Sequence, residues 1–322
     1  MPDREILLDV QGLKKYFNLG RGRILHAVDD ISFQIRKGET MGLVGESGCG
    51  KTTVGRTLIH LYKADGGKIL FHGKDIAGLS DREVRKMDLP SKMQMIFQDP
   101  YASLNPYFTV GEIVSEGLNI HHIGKTRKER EEIMYELLAK VGLSREHANR
   151  FPHEFSGGQR QRVGIARSLA LNPEFIVCDE ATSALDVSVQ AQVINMLIDL
   201  KEHMDLTYLV VAHDLSVVRY ISDRVAVMYL GHIVEIGAVN EIYDHPAHPY
   251  TIGLLDAVPV ADPDFEASHI VNPMQGELTS PINPKPGCRF ASRCPHADER
   301  CRSCTPALKE IGNDHAVACW KV

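Results

Sequence analysis

The sequence lacks any apolar run that could cross a bilayer, since no stretch approaches the roughly 18 consecutive apolar residues that a membrane helix needs. The opening segment MPDREILLDV carries charges where a signal peptide would place its apolar core. An excess of positive charge is also missing, because 36 Lys and Arg against 42 Asp and Glu give a net charge of −6. This balance argues against a protein that coats nucleic acid. We therefore expect a cytoplasmic protein that serves a membrane, if at all, through a partner.

Internal repeats are absent as well, and cysteine is scarce until the end of the chain. Five of the seven cysteines fall within the last 35 of 322 residues. A hydrophobic content of 43% suffices for one large domain and a small one. The Pro-rich segments YDHPAHPYT and VPVADPDF indicate a boundary. We predict a first domain over residues 1–240, a linker over 241–265 and a Cys-rich tail over 266–322.

Hydrophobic patterns predict an α/β protein. The segments ILLDVQGLKKYF and AVDDISFQI alternate apolar and polar residues, as antiparallel strands do. Two short apolar runs, FIVCDE and TYLVVAHD, flank the helical pattern VQAQVINMLIDLKEHM, and this order favours a parallel sheet. The segment RVAVMYLGHIVEIG predicts a hairpin around Gly231.

A phosphate-binding loop is indicated by GESGCGKTT, which follows the strand pattern MGLVG and precedes a helical pattern. Glycines let backbone N–H groups turn toward phosphates, and the helix N-terminus adds partial positive charge. We predict that Lys51 reaches the β- and γ-phosphates, that Thr52 ligates Mg²⁺ and that Cys49 is a small filler. The predicted loop residues are Gly45, Glu46, Ser47, Gly48, Cys49, Gly50, Lys51, Thr52 and Thr53.

The strand pattern FIVCDE ends in two acids, which suits the other half of a nucleotide-hydrolysing site. Asp179 is the candidate magnesium ligand. Glu180 is the candidate base for the attacking water, a role typically worth about 10²–10⁴-fold in rate. Cys178 is interpreted as an apolar filler.

The segment FSGGQRQR, from Phe155 to Arg162, resembles the signature motif of the ATP-binding-cassette family. Five further matches occur in the order and spacing of that family, over about residues 5–250. They are the phosphate loop, the acidic strand end, Gln98 in MIFQDP (the glutamine that contacts Mg²⁺ and water), SALD ending at Asp186, and His213 in VVAHD. Tyr16 or Phe17 in KKYF takes the position of the aromatic residue that stacks on adenine.

The resemblance implies an ABC-type P-loop NTPase: a RecA-like core, an antiparallel β-subdomain and a helical subdomain at about 99–165, plus a small C-terminal Cys-rich metal domain. It also implies that two such chains sandwich two ATP molecules. The predicted contacts to the partner's γ-phosphate are Ser156, Gly157, Gly158 and Gln159, which open a helix. Two departures from the pattern, Phe155 for leucine and Ala181 for proline, remove no chemical group.

Three stretches resemble the oligopeptide/dipeptide importer group: FQDPYASLNP, HPAHPYT and SPINPKPGCRFASRCP. This resemblance implies a second, similar ATPase chain, two transmembrane permease subunits, an extracytoplasmic binding protein and no nucleic acid. Nickel and glutathione importers share these features, and a soluble cassette ATPase acting on DNA or ribosomes is the alternative class. The predicted contacts to the permease are Tyr101, Leu104, Pro106 and Tyr107.

The cysteine tail contains too few large apolar residues for a core of its own, so a cross-linking centre would explain its folding. The spacing leaves two metals open. Zinc would use the pair Cys301 and Cys304 with His296 and His315, whereas four thiolates on longer loops suit an iron–sulfur cluster. The peptide-importer resemblance implies a [4Fe–4S] cluster on C-x₅-C-x₆-C-x₁₇-C, with Cys304 as the spare. The matching ligands are Cys288, Cys294, Cys301 and Cys319.

Overall fold

The computed structural model describes residues 4–258, 279–312 and 314–322. The contacts between Cα atoms divide the chain into two compact units. The helical unit comprises residue 4 and residues 36–39 and 79–210, and the β unit comprises the other described residues. None of the helices in these described ranges is long and apolar enough to cross a membrane.

The described residues form both strands and helices. In chain order the strands are β1 (Ile6–Asn18), β2 (Ile24–Arg36), β3 (Thr40–Val44), β4 (Gly66–Phe71), β5 (Lys74–Asp75), β6 (Met93–Ile96), β7 (Phe175–Asp179), β8 (Thr207–Val211), β9 (Arg224–Tyr229), β10 (His232–Ala238), β11 (Lys309–Gly312) and β12 (His315–Val317). The α-helices are α1 (Lys51–Leu58), α2 (Asp81–Lys86), α3 (Leu89–Lys92), α4 (Pro100–Ser103), α5 (Val110–Ile120), α6 (Arg127–Lys140), α7 (Gly157–Leu169), α8 (Val187–Met204), α9 (Leu215–Ile221), α10 (Val239–Asp244), α11 (Pro249–Asp256) and α12 (Glu299–Ser303).

The β unit contains two sheet segments. One has the order β2-β1-β4-β5, with β1 antiparallel to β4. In the other, β3 lies parallel to β9, and β9 pairs antiparallel with β10. Tyr229 faces His232 in that last pair, so the predicted hairpin around Gly231 is confirmed.

The helical unit is built on short, fully buried strands. All five residues of β7 and all five of β8 are buried, and β6 pairs in parallel with β7. Helix α8 connects β7 to its neighbour β8, as the apolar pattern indicated. Helices α4 to α7 occupy most of residues 100–169, where the helical subdomain was expected.

Local capping fixes where two of these helices begin. Thr109 and Glu112 form a reciprocal capping box at the start of α5, and the Thr126 hydroxyl accepts the Glu129 N–H at the start of α6. Helix α6 buries Met134, Leu137 and Leu138 and exposes most of its charged residues, as expected for a solvated helix.

The cysteine tail does not fold on a core of its own. Strand β12 pairs antiparallel with β10, and β11 pairs with β12. Phe290 is 2% exposed and packs against the rings of Tyr229 and Tyr250. The tail therefore uses the core of the β unit, which a count of its own apolar residues could not reveal.

The structure describes part of the proline-rich segment predicted as a linker. Its described part, residues 241–258, contains α11, and Tyr250 in this helix is fully buried. Proline stands at the start of α11, a position where its missing N–H costs no helical hydrogen bond. Residues 259–265 of the predicted linker lie outside the described residues.

Removal of the Phe290 ring tests whether this shared core holds the tail. We expect Phe290→Ala to lower the free energy of unfolding by about 3–5 kcal/mol, because it leaves a cavity beside two tyrosines. The matched control is Ile311→Ala in β11, an exposed tail position where the loss is expected to stay below about 1 kcal/mol. Urea denaturation followed by fluorescence of Trp320, the single tryptophan, measures both. Equal losses in the two variants would contradict the shared core.

Candidate nucleotide site

The loop between β3 and α1 has a backbone that only glycine allows at two positions. Gly45 has φ of 148°, and a Cβ there would lie 2.1 Å from the Met228 carbonyl oxygen. Gly50 has φ of 110°, and its Cβ would lie 2.0 Å from the Ala27 carbonyl oxygen. The predicted glycines are therefore required both by conformation and by close contact with neighbouring backbone.

Lys51 lies inside this loop. The side chain is buried, and its ammonium donates to the carbonyl oxygens of Gly45 at 2.7 Å and Glu46 at 3.0 Å. Helix α1 begins at Lys51 behind a glycine N-cap, and no acid occupies its first turn. A buried ammonium next to the positive end of a helix is an arrangement suited to a phosphate chain.

The two cysteines outside the tail are buried. Cys49 is 2% exposed and Cys178 is 1% exposed. Burial raises the pKa of the Cys49 thiol and raises that of Cys178 to about 12. Both thiols are therefore neutral at physiological pH, in agreement with the filler interpretation.

Glu46 supports the loop from the side that faces the cysteine tail. Its backbone N–H donates to the Tyr250 hydroxyl at 2.8 Å. Its carboxylate accepts two hydrogen bonds from the Arg293 guanidinium, at 2.8 and 3.0 Å. These bonds raise the pKa of Arg293 above its ordinary value. The sequence analysis did not assign Arg293 or Tyr250 to the site, although both lie in stretches that resemble the oligopeptide/dipeptide importer group.

The two candidate adenine-stacking residues have different surroundings. The Tyr16 ring packs against His26 with centroids 4.1 Å apart, and its hydroxyl donates to Asp29. The Phe17 ring meets Tyr62 edge to face at 5.5 Å. Asp29 also accepts a hydrogen bond from Arg289 of the tail at 2.6 Å.

In the helical unit, the structure brings two of the predicted catalytic residues together. The Gln98 amide donates to a Glu180 carboxylate oxygen at 2.7 Å. Glu180 follows β7 with φ of 44°, a left-handed conformation that is uncommon for a residue with a side chain. The Ser183 hydroxyl donates to the Glu180 carbonyl oxygen at 2.9 Å and stabilises this turn. Asp179, the last residue of β7, is 1% exposed.

The signature segment forms the start of α7. Ser156 is the N-cap and forms a capping box with Gln159. A Cβ on Gly158 would lie 2.3 Å from a methyl carbon of Val189, so this glycine also permits close packing of α7 on the following helix. Gly157 and Ser156 are exposed.

Two other predicted site residues lie at the starts of helices. Asp186 is the exposed N-cap of α8, and the next residue, Val187, is 84% exposed. His213 is an exposed residue just before α9, whose N-terminus is capped by the Asp214 carboxylate.

The segment after Gln98 exposes aromatic side chains. Tyr107 is 86% exposed, Tyr101 is 60% exposed, and Pro106 is also exposed. Leu104 is only 3% exposed, so the prediction that it contacts a partner is wrong, because its side chain packs inward. Phe108, at 39% exposed, is an apolar surface residue that the sequence analysis did not select.

Four tail cysteines are neighbours. Burial raises the pKa of the Cys288 thiol to about 11, and the proximity of Cys301, Cys294 and Cys319 adds to the shift. Cys304 is exposed. His315 bonds instead to Glu235, at 2.7 Å. Within residues 279–312 and 314–322, as elsewhere in the described chain, no three His, Cys, Asp or Glu residues are arranged as a metal site.

Family models match both parts of the chain. The ABC transporter model matches residues 28–183, and the model of the oligopeptide/dipeptide transporter C-terminal region matches residues 234–301. The putative oligopeptide transport ATP-binding protein YkfD of Bacillus subtilis is 52% identical over 313 residues, which cover 97% of this chain and 94% of that protein. The oligopeptide transport ATP-binding protein OppF of Salmonella typhimurium is 49% identical over 327 residues, covering 99% and 97%.

A solved structure agrees with this relationship. The ATP-binding cassette MJ0796, solved as a dimer in a post-hydrolysis state bound to ADP and Pi, is 30% identical. It superposes with a TM-score of 0.66 over 72% of this chain and 98% of its own. The chain therefore belongs to the ABC transporter family of ATP-binding cassette ATPases and carries the C-terminal region of the oligopeptide/dipeptide transporter group.

Proposed function

We propose that this chain is the ATP-hydrolysing subunit of an importer of oligopeptides or dipeptides. The observation that carries this proposal is the combination of a phosphate loop with its buried lysine and a tail of the oligopeptide/dipeptide transporter type in one chain. Relatives named as oligopeptide transport ATP-binding proteins, about half identical over nearly the whole chain, support the cargo class.

Nucleotide binding is assigned first to the loop from Gly45 to Thr53. Its backbone N–H groups and the N-terminus of α1 would hold the phosphates, and Lys51 would leave its two carbonyl partners to contact the β- and γ-phosphates. Tyr16 or Phe17 would stack on adenine. Thr52, Gln98 and Asp179 would hold Mg²⁺, which neutralises phosphate charge when it is bound.

Hydrolysis is assigned to Glu180, with Gln98 and His213 as auxiliary residues. Glu180 would accept a proton from the attacking water, and its bond to Gln98 fixes the direction of one carboxylate oxygen. His213 would contact the γ-phosphate. The strained backbone of Glu180 supports this assignment, since such conformations cluster at functional sites.

Dimerisation would complete each ATP site. The γ-phosphate held by the partner chain would be contacted by Ser156, Gly157, Gly158 and Gln159. Asp186 would lie near the same interface between the two chains. The exposure of Ser156, Asp186 and Val187 supports a surface that is covered in a complex. We propose a similar but non-identical chain as the partner, and ATP-dependent closure as the step that drives transport.

Attachment to the membrane is assigned to two transmembrane permease subunits, with an extracytoplasmic peptide-binding protein acting upstream of them. The exposed residues Tyr101, Pro106, Tyr107 and Phe108 supply apolar and aromatic contact area of the kind found at interfaces. The chain would then be peripheral to the cytoplasmic face of the membrane, with no nucleic-acid partner. Stimulation by DNA or ribosomes would instead favour a soluble cassette ATPase.

A substitution of Glu180 tests the assignment of the base. Glu180→Gln keeps the size and the contact with Gln98 but removes the proton acceptor, so we expect ATPase activity of the assembled transporter to fall at least about 100-fold. ATP binding should persist and hold the dimer closed, which size-exclusion chromatography with ATP would detect. Glu202→Gln, at an exposed position on α8, is the matched control. Turnover like that of the wild type in Glu180→Gln would remove Glu180 from this role.

The tail cysteines are proposed to hold a [4Fe–4S] cluster. Support for this ligand set comes from the proximity of the thiols, since burial raises the pKa values of Cys288 and Cys294 and the nearby Cys301 and Cys319 add to both shifts. Such a cluster, when bound, would cross-link the tail. Zinc is the alternative, and it would use the pair Cys301 and Cys304. The metal centre could have a purely structural role in the tail. Alternatively, its redox state could regulate transport.

Metal analysis of cysteine variants separates these possibilities. Anaerobically purified protein should contain about four irons and four acid-labile sulfides per chain. Cys301→Ser should lose most of the iron, whereas Cys304→Ser, three residues away, should keep it. Iron loss in both variants, or zinc in place of iron, would contradict the proposed ligand set. ATPase rates that differ between the oxidised and reduced cluster would favour regulation over a brace.

A further inference from the structure

The phosphate loop contains an acid at an unfavourable position. Glu46 directly follows Gly45, in a loop proposed to hold the negative charges of ATP. A carboxylate here would repel the phosphates unless its charge were compensated. The compensation comes from the tail, because the Arg293 guanidinium forms a two-bond ion pair with this carboxylate at 2.8 and 3.0 Å.

The ion pair is largely removed from solvent, so it is not an ordinary surface salt bridge. The Arg293 side chain is 8% exposed and that of Glu46 is 23% exposed. Arg293 also lies within hydrogen-bonding distance of the Tyr229 hydroxyl, at 3.5 Å. Salt and water screen such a pair much less than an exposed one.

The segment that carries Arg293 is well anchored. The backbone N–H groups of Arg293 and Cys294 both donate to the Phe290 carbonyl oxygen, which closes a tight turn. The Phe290 ring packs against Tyr250, whose hydroxyl accepts the Glu46 N–H. Arg289, at the other end of the turn, bonds to Asp29. The turn between two of the cysteines therefore contacts the loop through side chains and through the shared core.

We infer that Arg293 is a positioning residue of the nucleotide site, which neutralises the Glu46 carboxylate and directs it away from the phosphates of ATP. Arg293 itself does not contact the nucleotide in this assignment. The C-terminal tail is thereby part of the ATP-binding apparatus, beyond any role it has in holding a metal centre. This inference rests on the proposed role of the loop in binding phosphate.

Charge-changing variants of the full-length chain give a direct test. We expect Arg293→Met to raise the Kd of ATP about 10-fold, with a smaller rise for ADP, because ATP carries more negative charge. The rise should appear in KM more than in kcat, and it should shrink as salt is added. Arg293→Lys, which keeps the charge but loses the two-bond geometry, should give an intermediate Kd.

A second substitution separates charge neutralisation from support of the fold. In the double variant Arg293→Met with Glu46→Gln, the uncompensated charge is gone, so ATP affinity should return to within about 3-fold of the wild type. If Arg293 served only to brace the tail, Glu46→Gln could not restore binding. Thermal unfolding without nucleotide records any loss of stability separately. Arg302→Met, at an exposed arginine of the same tail, is the matched control.

Titration with a fluorescent ATP analogue and with ADP measures these affinities. A wild-type Kd in Arg293→Met, or a loss that Glu46→Gln leaves unrepaired, would overturn the inference. The variant Lys51→Met distinguishes failure of the inference about Arg293 from failure of the proposed function of the loop. If Lys51→Met loses ATP binding and Arg293→Met does not, the loop still binds ATP and only the role of Arg293 is refuted. If Lys51→Met binds ATP like the wild type, both the loop assignment and the role of Arg293 are refuted.

Discussion

The loop from Gly45 to Lys51 lies so close to neighbouring backbone that two of its residues have no room for a single additional carbon atom. Gly45 is pressed against the Met228 carbonyl group and Gly50 against that of Ala27. These contacts come from β9 and from β2, so both sheet segments of the β unit must be correctly formed before the loop can take its shape. The fold of this unit is therefore the precondition for any phosphate binding by the loop.

The C-terminal tail packs against the same part of the β unit. Tyr250 and Phe290 fill the space beside Tyr229 at the end of β9, and the Tyr250 hydroxyl holds the backbone of Glu46. A tail with few apolar residues could not form this core by itself. Phe290 of the tail joins the hydrophobic cluster of Tyr229 and Tyr250 instead, and this packing places Arg293 next to Glu46 of the loop.

In the helical unit, the arrangement of Glu180 and Gln98 depends on a local feature of the chain. Strand β7 is completely buried and ends at Asp179. The next residue, Glu180, has a left-handed backbone conformation, and its carboxylate accepts a hydrogen bond from Gln98. The Ser183 hydroxyl stabilises that turn through the Glu180 carbonyl group. A buried strand followed by an abrupt turn can hold the Glu180 carboxylate in one orientation.

The sequence by itself determined the family, the loop glycines, the acid pair and the hairpin at Gly231, because each rests on a short pattern with a local physical cause. Helix and strand periods, the need for glycine at positive φ, and the fixed spacing of motifs are all local properties. Only the tertiary structure decided that Leu104 is buried, that the proline-rich segment contains α11, and that the tail shares the core of the β unit. The pairing of Arg293 with Glu46 belongs to the same class, since 247 residues separate the two partners. No local pattern encodes such a contact, which exists because sheet formation and burial of Phe290 bring the two segments together.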